Sequence, residues 1–431
     1  MTDTSQTMGR KTLCSGAFFT AIQDARFKTG RMTLSFLVPL SEETAARYAI
    51  LPFLLRRACA AYPDFTQLNR RLSELYGARL HADVGKIGEV QILSLSVSSL
   101  DDRYTLEGDA IAGELAELLC DIVLRPALDE SGLFREENFE QERRQLLEKQ
   151  EAEQSEKRTY AKKRCEEIMC AGEDFGVSRY GTRAQVEALT PTQVKAAWEH
   201  LLKFVHIEVF ALTGGDVEAC YGIFRNRFSG LQRGVIEPCE TLVVDSAEDV
   251  TEHSETMEIS QAKLVLGFRS GTAEPDDEVM SARLMTAMWG GTPHSKLFVH
   301  VREKLGLCYY CTARLDRNKG IILVESGIEE KNKQVAQEEI LHQLDMMKNG
   351  EFDENELEFA KLSMVNSFQT LTDSPYGLVS WMLSQCLDRE MVTVDEAVQQ
   401  LRSVCREQVI EAAKRVTLDT VYLLSEEGET A

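Results

Sequence analysis

Two stretches decide the fold: LNRRLSELYGARLHADVGKIGEVQILSLSV (residues 68–97) and LFVHVREKLGLCYYCTARLDRNKGIILVES (residues 297–326). Aligned without gaps, Glu74 falls on Glu303 and Gly77 falls on Gly306. The strand-like ILSLSV that closes the first stretch falls on IILVES, which closes the second. Each stretch therefore predicts a helix followed by a strand, in the same register.

The repetition extends to both sides of these stretches. Before them, the strand-like MTLSFLVPL and AKLVLGF each precede a helical pattern, which runs from about Glu42 to Ala60 in the first case. After them come the helical DAIAGELAELLCDIVL and KQVAQEEILHQLDMM. Each repeat closes on a helix and a strand: TPTQVKAAWEHLL with IEVFALTG, and CREQVIEAAKRV with DTVYLLSE. Because the matches keep one order, they predict an internal duplication.

The domain organisation follows from the duplication. We predict two homologous domains at residues 1–228 and 255–431, joined by a linker at residues 229–254 that has no counterpart in the pattern. The strands alternate polar and apolar residues, as in ILSLSV, which is typical of half-buried strands in an antiparallel sheet. The predicted fold class is α+β, with helices packed on one face of each mainly antiparallel sheet.

Composition narrows the function classes. The chain has 431 residues and a net charge of −22, which argues against nucleic-acid binding because phosphate neutralisation requires clustered Lys and Arg. The sequence has no apolar run long enough to predict a membrane span. The N-terminal MTDTSQTMGRKTLCSG lacks the pattern of a secretory signal, so a cytoplasmic protein is expected. Eleven scattered cysteines favour reduced thiols, and the lone CxxC of Cys308 and Cys311 makes a poor zinc site.

The segment GGTPHSKLFVHVREKLGLCYY, which we call the signature segment (residues 290–310), resembles a known family. Insulinase/pitrilysin-type metallopeptidases and mitochondrial processing peptidases have a similar pattern in their C-terminal homologous domain. The matching residues are Gly290, Gly291, Ser295, Lys296, Leu297, Phe298, Arg302, Glu303, Lys304, Gly306, Leu307 and Tyr309. The resemblance covers the whole chain and implies a clam-shaped fold of the processing peptidase/LuxS-like metallohydrolase type.

The resemblance also implies where a zinc motif would lie. Active members carry His-x-x-Glu-His on the helix after the first strand, with the Glu as general base on a zinc-bound water. In this register the motif falls on Pro52, Phe53, Leu54, Leu55 and Arg56, which we call the zinc-motif slot. Proline and leucine cannot bind a metal, and the permanently charged Arg56 repels one. Pro52 inside a regular helix would cost about 3 kcal/mol unless a kink absorbs it.

Other metal ligands are also not evident in the sequence. No pair among the seven histidines has an H-x-x-H or H-x-x-x-H spacing. Glu148 and Glu151 lie in the zone of the family's downstream ligand, within the highly charged segment at residues 136–168. A long solvated helix with pairs at three- and four-residue spacings explains that segment without a metal. We therefore predict no metal and no cofactor in this chain.

The resemblance implies that Arg302 and Tyr309 hold the peptide substrate, and that the Gly290–Gly291 pair lets a peptide backbone approach. A guanidinium suits a carbonyl or carboxylate, and a phenol adds a donor with an aromatic face. Structural roles remain open for each of them. Arg302 could cap or bridge a helix, Tyr309 could pack in a sheet, and GGTPHS could be a helix-ending turn.

Several family members work as heterodimers in which one chain carries zinc and a homologous chain holds substrate. The sequence is expected to be of the second kind, a catalytically inactive subunit with zinc in its homologous partner. The alternative is a purely structural adaptor without a substrate role. YAILPFLLRRA, LYGARL and HSKLFVHVREK are most similar to a zinc-less bacterial subgroup associated with 5-aminopentanol modification of elongation factor P. No nucleophile–base or phosphate-loop pattern favours an independent enzyme.

Overall fold

The computed structural model describes residues 9–426, so the first half of the N-terminal segment used for the signal-sequence expectation lies outside the described residues. The strands are β1 Gly9–Cys14, β2 Ala17–Gln23, β3 Thr29–Pro39, β4 Arg79–Ile87, β5 Val90–Leu100, β6 His206–Thr213, β7 Thr251–Met257, β8 Ala262–Arg269, β9 Cys308–Asp316, β10 Ile321–Ile328 and β11 Thr417–Glu426. The helices are α1 Ala45–Ala49, α2 Leu51–Leu55, α3 Phe65–Glu74, α4 Ile111–Leu124, α5 Glu136–Ser155, α6 Lys157–Met169, α7 Arg183–Glu187, α8 Pro191–Phe204, α9 Val217–Phe228, α10 Val279–Thr286, α11 Lys333–Lys348, α12 Glu354–Leu371, α13 Pro375–Leu383, α14 Val394–Ser403 and α15 Arg406–Arg415.

The chain forms two compact units, and neither is continuous in sequence. Unit 1 contains residues 1–150, 177–240 and 371–393, whereas unit 2 contains the intervening and remaining residues, 151–176, 241–370 and 394–431. One short segment from each half of the chain thus belongs to the unit built mainly by the other half. The predicted domains at residues 1–228 and 255–431 are defined by the sequence repeat. The two units are defined by which residues contact one another, so their boundaries differ from those of the repeat.

Unit 1 is built on a six-stranded sheet in the order β1-β2-β6-β3-β5-β4. The strands pair antiparallel except for β2 and β6, which are parallel. The central strand β3 is buried on both faces along most of its length. One face contributes Leu34, Phe36 and Val38 to a large apolar core with α4 and α9. This burial fixes the register, because a slip by one residue would turn these side chains to the other face.

Unit 2 repeats this arrangement in a five-stranded sheet ordered β7-β11-β8-β10-β9. Its order matches β2-β6-β3-β5-β4 of unit 1, and the pairing of β7 with β11 is again parallel. Gly77 and Gly306 both have positive φ and both lie just before the edge strand of their sheet. The prediction of two antiparallel-rich sheets with packed helices in a mixed fold is confirmed.

The segment 151–176 packs on the sheet of unit 2, which corrects the expected long solvated helix at residues 136–168. The helix breaks at Glu156, whose side chain accepts hydrogen bonds from the first turn of α6. Cys165 and Met169 of α6 are then buried in an apolar cluster with β8, β10 and β11. The sequence of α6 did not reveal this apolar face, because its buried residues are few and are separated by charged ones.

Buried ion pairs hold the same segment in place. Arg269, on β8, is only 3% exposed in its side chain and binds Glu173 at 2.7 Å and Asp419 at 2.8 Å. Lys319, which is fully buried, binds Glu173 at 2.6 Å. Each charge in this cluster has an opposite partner, which offsets the large penalty of taking it out of water.

Residues 371–393 cover the sheet of unit 1 in a comparable way. Helix α13 packs against β3 and β6. Tyr376 lies 5.0 Å from the guanidinium of Arg31 on β3. Within residues 9–426, every helix is too short or too polar to cross a lipid bilayer.

Candidate functional site

The zinc-motif slot lies in a broken helix. The predicted continuous helix from Glu42 to Ala60 is wrong: α1 ends at Ala49, Ile50 forms a turn, and α2 covers only Leu51–Leu55. Pro52 occupies the first turn of α2, where the proline removes no helical hydrogen bond. The break thus absorbs the expected cost of this residue.

The slot itself is part of the apolar core of unit 1. Pro52 and Leu55 are buried, and Leu55 is 1% exposed. Their neighbours in the cluster include Leu51, Phe53 and Leu54. The positions at which the resemblance implies metal ligands are thus occupied by side chains that fill space in the core.

Positive charges surround the polar end of the slot. Arg56 and Arg57 follow α2 directly. Arg57 donates hydrogen bonds to Gln141 at 2.6 Å and to Glu142 at 3.3 Å, both on α5. Lys149, also on α5, lies 5.2 Å from the ring of Phe53. A metal dication placed here would be repelled by these cations.

Glu142 is the residue of this region that sequence reasoning missed. Its side chain is only 1% exposed, although it belongs to α5, a helix whose sequence is rich in charged residues. Burial raises the pKa of Glu142, and the nearby charges of Arg56 and Arg57 oppose that rise without cancelling it. The carboxylate therefore has arginines as counter-ions. From the sequence, Glu148 and Glu151, further along α5, are interpreted as part of a charged helix surface.

The donor set at the slot does not fit a zinc ion. Pro52 and Leu55 offer no ligand atom, and Arg56 carries a fixed positive charge. Among the described residues, 9–426, no three His, Cys, Asp or Glu side chains are grouped so that they could hold a metal. We derive no chemistry through a metal in this chain.

The signature segment of unit 2 has an unusual backbone. Residues Ala287–Gly291 and Phe298–Lys304 form two π-helical segments. Such wide turns occur mostly as short insertions and are frequent at functional sites. They follow α10 and lead directly to the edge strand β9.

The glycine pair occupies two different environments. Gly290 is buried, and a Cβ there would lie 2.7 Å from the backbone nitrogen of Ala313 on β9. Packing of the π-helical turn against β9 therefore accounts for glycine at this position. Gly291 is exposed, and a Cβ there would make only ordinary contacts.

Arg302 lies on the surface near the end of the second π-helical segment. Its guanidinium stacks 4.5 Å from the ring of Phe298 and lies 3.7 Å from the carboxylate of Glu303. Its side chain is 41% exposed, so the guanidinium keeps donors that face solvent.

Tyr309 is the second residue of β9, the edge strand of the sheet. Its side chain is 74% exposed, so Tyr309 does not pack in the sheet. It lines a groove of about 620 Å³, which we call the edge groove. The other lining residues are Ser260, Gln261, Ala262, Ile328, Glu329, Glu330 and Glu426. The edge groove is therefore rich in carboxylates.

The backbone next to Tyr309 is bulged. Cys308 pairs with Ile328 and Cys311 pairs with Ser326, so β9 has one residue more than β10 in this interval. Both thiols therefore point to one face of the sheet, which is not expected for positions three apart in a regular strand. A hydrogen bond with Cys311 lowers the pKa of Cys308, burial opposes this, and the charge of Arg302 assists it. Arg302 thus lies close to the start of β9.

The predicted site residues therefore fall into two groups. Pro52, Leu55 and Arg56 belong to unit 1. Gly290, Gly291, Arg302 and Tyr309 belong to unit 2. Gly290 packs against Ala313 in the middle of β9, whereas Arg302 and Tyr309 lie near the start of that strand.

Comparisons with known proteins bear on the resemblance. Residues 188–364 match the family described as Peptidase M16 inactive domain. The chain is 27% identical over 405 residues to the Bacillus subtilis (strain 168) protein named "Probable inactive metalloprotease YmfF", with 94% of each chain covered. The family match and this relative support the insulinase-type resemblance, and both descriptions are of inactive proteins.

Solved structures share the fold. A conserved protein from Enterococcus faecalis V583 has a TM-score of 0.89 at 25% identity, covering 98% of this chain and all 100% of that chain. The peptidase M16 inactive domain from Pseudomonas fluorescens has a TM-score of 0.80 at 14% identity, covering 97% of this chain and 98% of that chain. At that identity the second likeness concerns the fold alone.

Proposed function

From the premise that residues 188–364 match the Peptidase M16 inactive domain, we propose that this protein is the non-catalytic subunit of a heterodimeric insulinase-like zinc peptidase. Its role is to hold the peptide substrate, through Arg302 and Tyr309 and beside Gly290 and Gly291. A homologous partner chain with an intact His-x-x-Glu-His motif supplies the zinc ion and the general base.

The observation that carries this proposal is the exposure of Tyr309. An aromatic side chain held 74% exposed on an edge strand gains little from burial, so packing does not account for it. The Tyr309 hydroxyl makes no hydrogen bond to another described residue, so it can donate to a peptide carbonyl. Exposed large apolar side chains beside a groove are typical of binding surfaces.

The edge strand offers a second source of affinity. An extended peptide can add to an exposed strand such as β9 through main-chain hydrogen bonds, which depend little on peptide sequence. The edge groove beside it contains Glu329, Glu330 and Glu426. These carboxylates favour peptides with basic side chains, since opposite charge steers encounter and selects partners.

Further parts of the proposal rest on the sequence. The segments YAILPFLLRRA, LYGARL and HSKLFVHVREK support a counterpart of the zinc-less subgroup associated with 5-aminopentanol modification of elongation factor P. We propose a cytoplasmic complex, internal duplication as the origin of the two sheets, and neither nucleic acid nor membrane as partner.

Reconstitution of the pair tests the proposal. The protein is co-purified from its source with its partner, and peptide cleavage is assayed with and without a zinc chelator. We expect the pair to cleave and the isolated chain to be inactive. Stoichiometric zinc in the isolated chain, together with cleavage by that chain alone, would refute the proposal.

Variants test the substrate-holding role. We expect Arg302→Ala and Tyr309→Phe each to reduce kcat/KM of the pair at least tenfold, mainly by raising KM, as lost peptide hydrogen bonds require. Arg70→Ala and Tyr104→Phe, at exposed positions of unit 1, serve as controls. If activity of the pair survives both site substitutions while requiring the chain itself, the protein is a structural adaptor without a substrate role.

A further inference from the structure

A second groove, with a volume of about 630 Å³, lies within unit 1, and none of its lining residues belongs to the zinc-motif slot. It lies between the end of β3, helices α1 and α8, and the chain at residues 237–238, and we call it the α1–α8 groove. Its volume falls within the range of small-molecule and peptide-end pockets, about 300–1,000 Å³. The lining combines apolar and polar groups.

Polar side chains line one side of this groove. The hydroxyl of Tyr48 forms a hydrogen bond with Nδ1 of His200 at 3.0 Å. On the other side of the ring, Nε2 of His200 lies 3.1 Å from the carboxylate of Glu237, within ion-pair distance. Burial raises the pKa of Tyr48, which keeps its proton in place. The charge of Glu237 is thus already engaged by the imidazole.

Arg47 is in the opposite situation. It lines the groove, and its side chain makes neither a hydrogen bond nor an ion pair with any other residue in the described range 9–426. Its Nε is shielded from solvent and has no acceptor. A guanidinium stays charged at all accessible pH values, so an unbonded and shielded Nε leaves a strong donor unsatisfied.

Two hydroxyls extend this donor set. Ser41 and Thr44 line the same groove, six and three residues before Arg47, and their side chains also lack a hydrogen-bond partner among the described residues. Glu42 and Glu43, in the same turn, are exposed and do not line the groove. The Arg47 guanidinium has no acceptor, and each hydroxyl has one O–H to donate, so the three groups together can bind the two oxygens of a carboxylate.

The remaining lining is apolar: Val38, Pro39, Ala196, Ala197 and Pro238. We propose that the α1–α8 groove binds a carboxylate attached to an apolar body, with the free C-terminus of a peptide ending in an apolar residue as its natural form. The carboxylate binds Arg47, Ser41 and Thr44, and the apolar side chain lies against the alanines of α8. This site is separate from the edge groove and does not depend on the proposed partner.

Calorimetric titration of the full chain with acetyl-Ala-Leu and with its C-terminal amide tests the proposal. We expect the acid to bind at least tenfold more tightly than the amide, which differs only in the carboxylate. Arg47→Gln should remove this preference, and Arg47→Lys should restore part of it because the charge returns without the forked geometry. Arg70→Gln, at an exposed arginine of α3, is the matched control and should bind like the wild type.

A steric variant guards against misfolding as an explanation. Ala196 is exposed on α8, so Ala196→Phe should fill the groove with little effect on stability and should weaken binding of the acid. Acetyl-leucine is the third probe: equal affinity for it and for acetyl-Ala-Leu would assign the site to small apolar acids, whereas tighter peptide binding assigns it to peptide C-termini. Equal binding of acid and amide, or wild-type affinity in the folded Arg47→Gln variant, would overturn the proposal.

Discussion

The zinc-motif slot and the signature segment differ in how far their side chains are exposed to solvent. At the slot, Pro52 and Leu55 are buried in the core of unit 1, and its charges are arginines that engage Glu142. In the signature segment, the side chains of Arg302 and Tyr309 are exposed, and Tyr309 lines the edge groove. The slot is organised for packing, whereas the signature segment keeps polar groups that packing does not require.

This difference separates two kinds of evidence. Burial explains the apolar residues of the slot, Pro52 to Leu55, since their removal from water stabilises the fold. It does not explain Tyr309, since an exposed phenol contributes little to the free energy of folding. We therefore expect substitutions at the buried slot to change the stability of the protein. Substitutions at the exposed residues of the signature segment should change the activity of the complex with little effect on stability.

The largest effect is expected when the slot is made to resemble the motif again. Leu55→Glu places a carboxylate at a position that is 1% exposed, which we expect to lower the free energy of unfolding by about 4 kcal/mol. Leu55→Met, the control, should cost less than about 1.5 kcal/mol. Urea unfolding measures both, and equal stability of the two variants would show that the slot is not part of the core.

Removal of a cation at the slot should have the next largest effect. Arg57→Ala leaves Glu142 buried without its hydrogen-bonded partner, which we expect to cost about 3 kcal/mol at pH 7. The double variant Arg57→Ala/Glu142→Gln should recover part of that loss because no uncompensated charge remains. Additive losses in the double-mutant cycle would contradict the pairing.

The pH dependence of stability should reveal Glu142 more weakly. Burial raises its native pKa above the ordinary value of 4.5. Between the unfolded and native pKa values the folded protein binds more protons, so the contribution of Glu142 to stability is full below about pH 4.5 and is lost as pH rises through the native pKa. The stability of Glu142→Gln relative to wild type should therefore increase from pH 4.5 upward; a constant difference in urea unfolding across this range would contradict the shift.

The smallest effects on stability are expected in the signature segment. Arg302→Ala and Tyr309→Phe should each change the free energy of unfolding by less than about 0.5 kcal/mol, because both side chains are exposed. Thermal and urea unfolding of the isolated chain provide the measurement. A loss above about 1 kcal/mol at either position would assign that residue a structural role and remove the contrast with the slot.

Much of the fold could be predicted from local patterns. The strands at MTLSFLVPL and AKLVLGF, the closing helices and strands, and the register of Gly77 with Gly306 all follow from periodicity and turn residues. For the break at Ile50, the sequence predicted only that Pro52 would destabilise a regular helix. It did not show whether the helix would kink or end there.

The sequence by itself determined the class of fold, and it showed that the side chains of Pro52, Leu55 and Arg56 offer no zinc ligand, because residue type alone decides whether a side chain can bind zinc. Only the tertiary structure decided that α6 packs on the sheet of unit 2, that Glu142 faces Arg57, and that the Arg47 side chain lines a groove without a hydrogen-bond acceptor in the part of the chain that the structure describes. These features depend on contacts between residues far apart in the chain. Periodicity records which face of one element is apolar, whereas the choice of the element that covers it is made by packing of the whole unit.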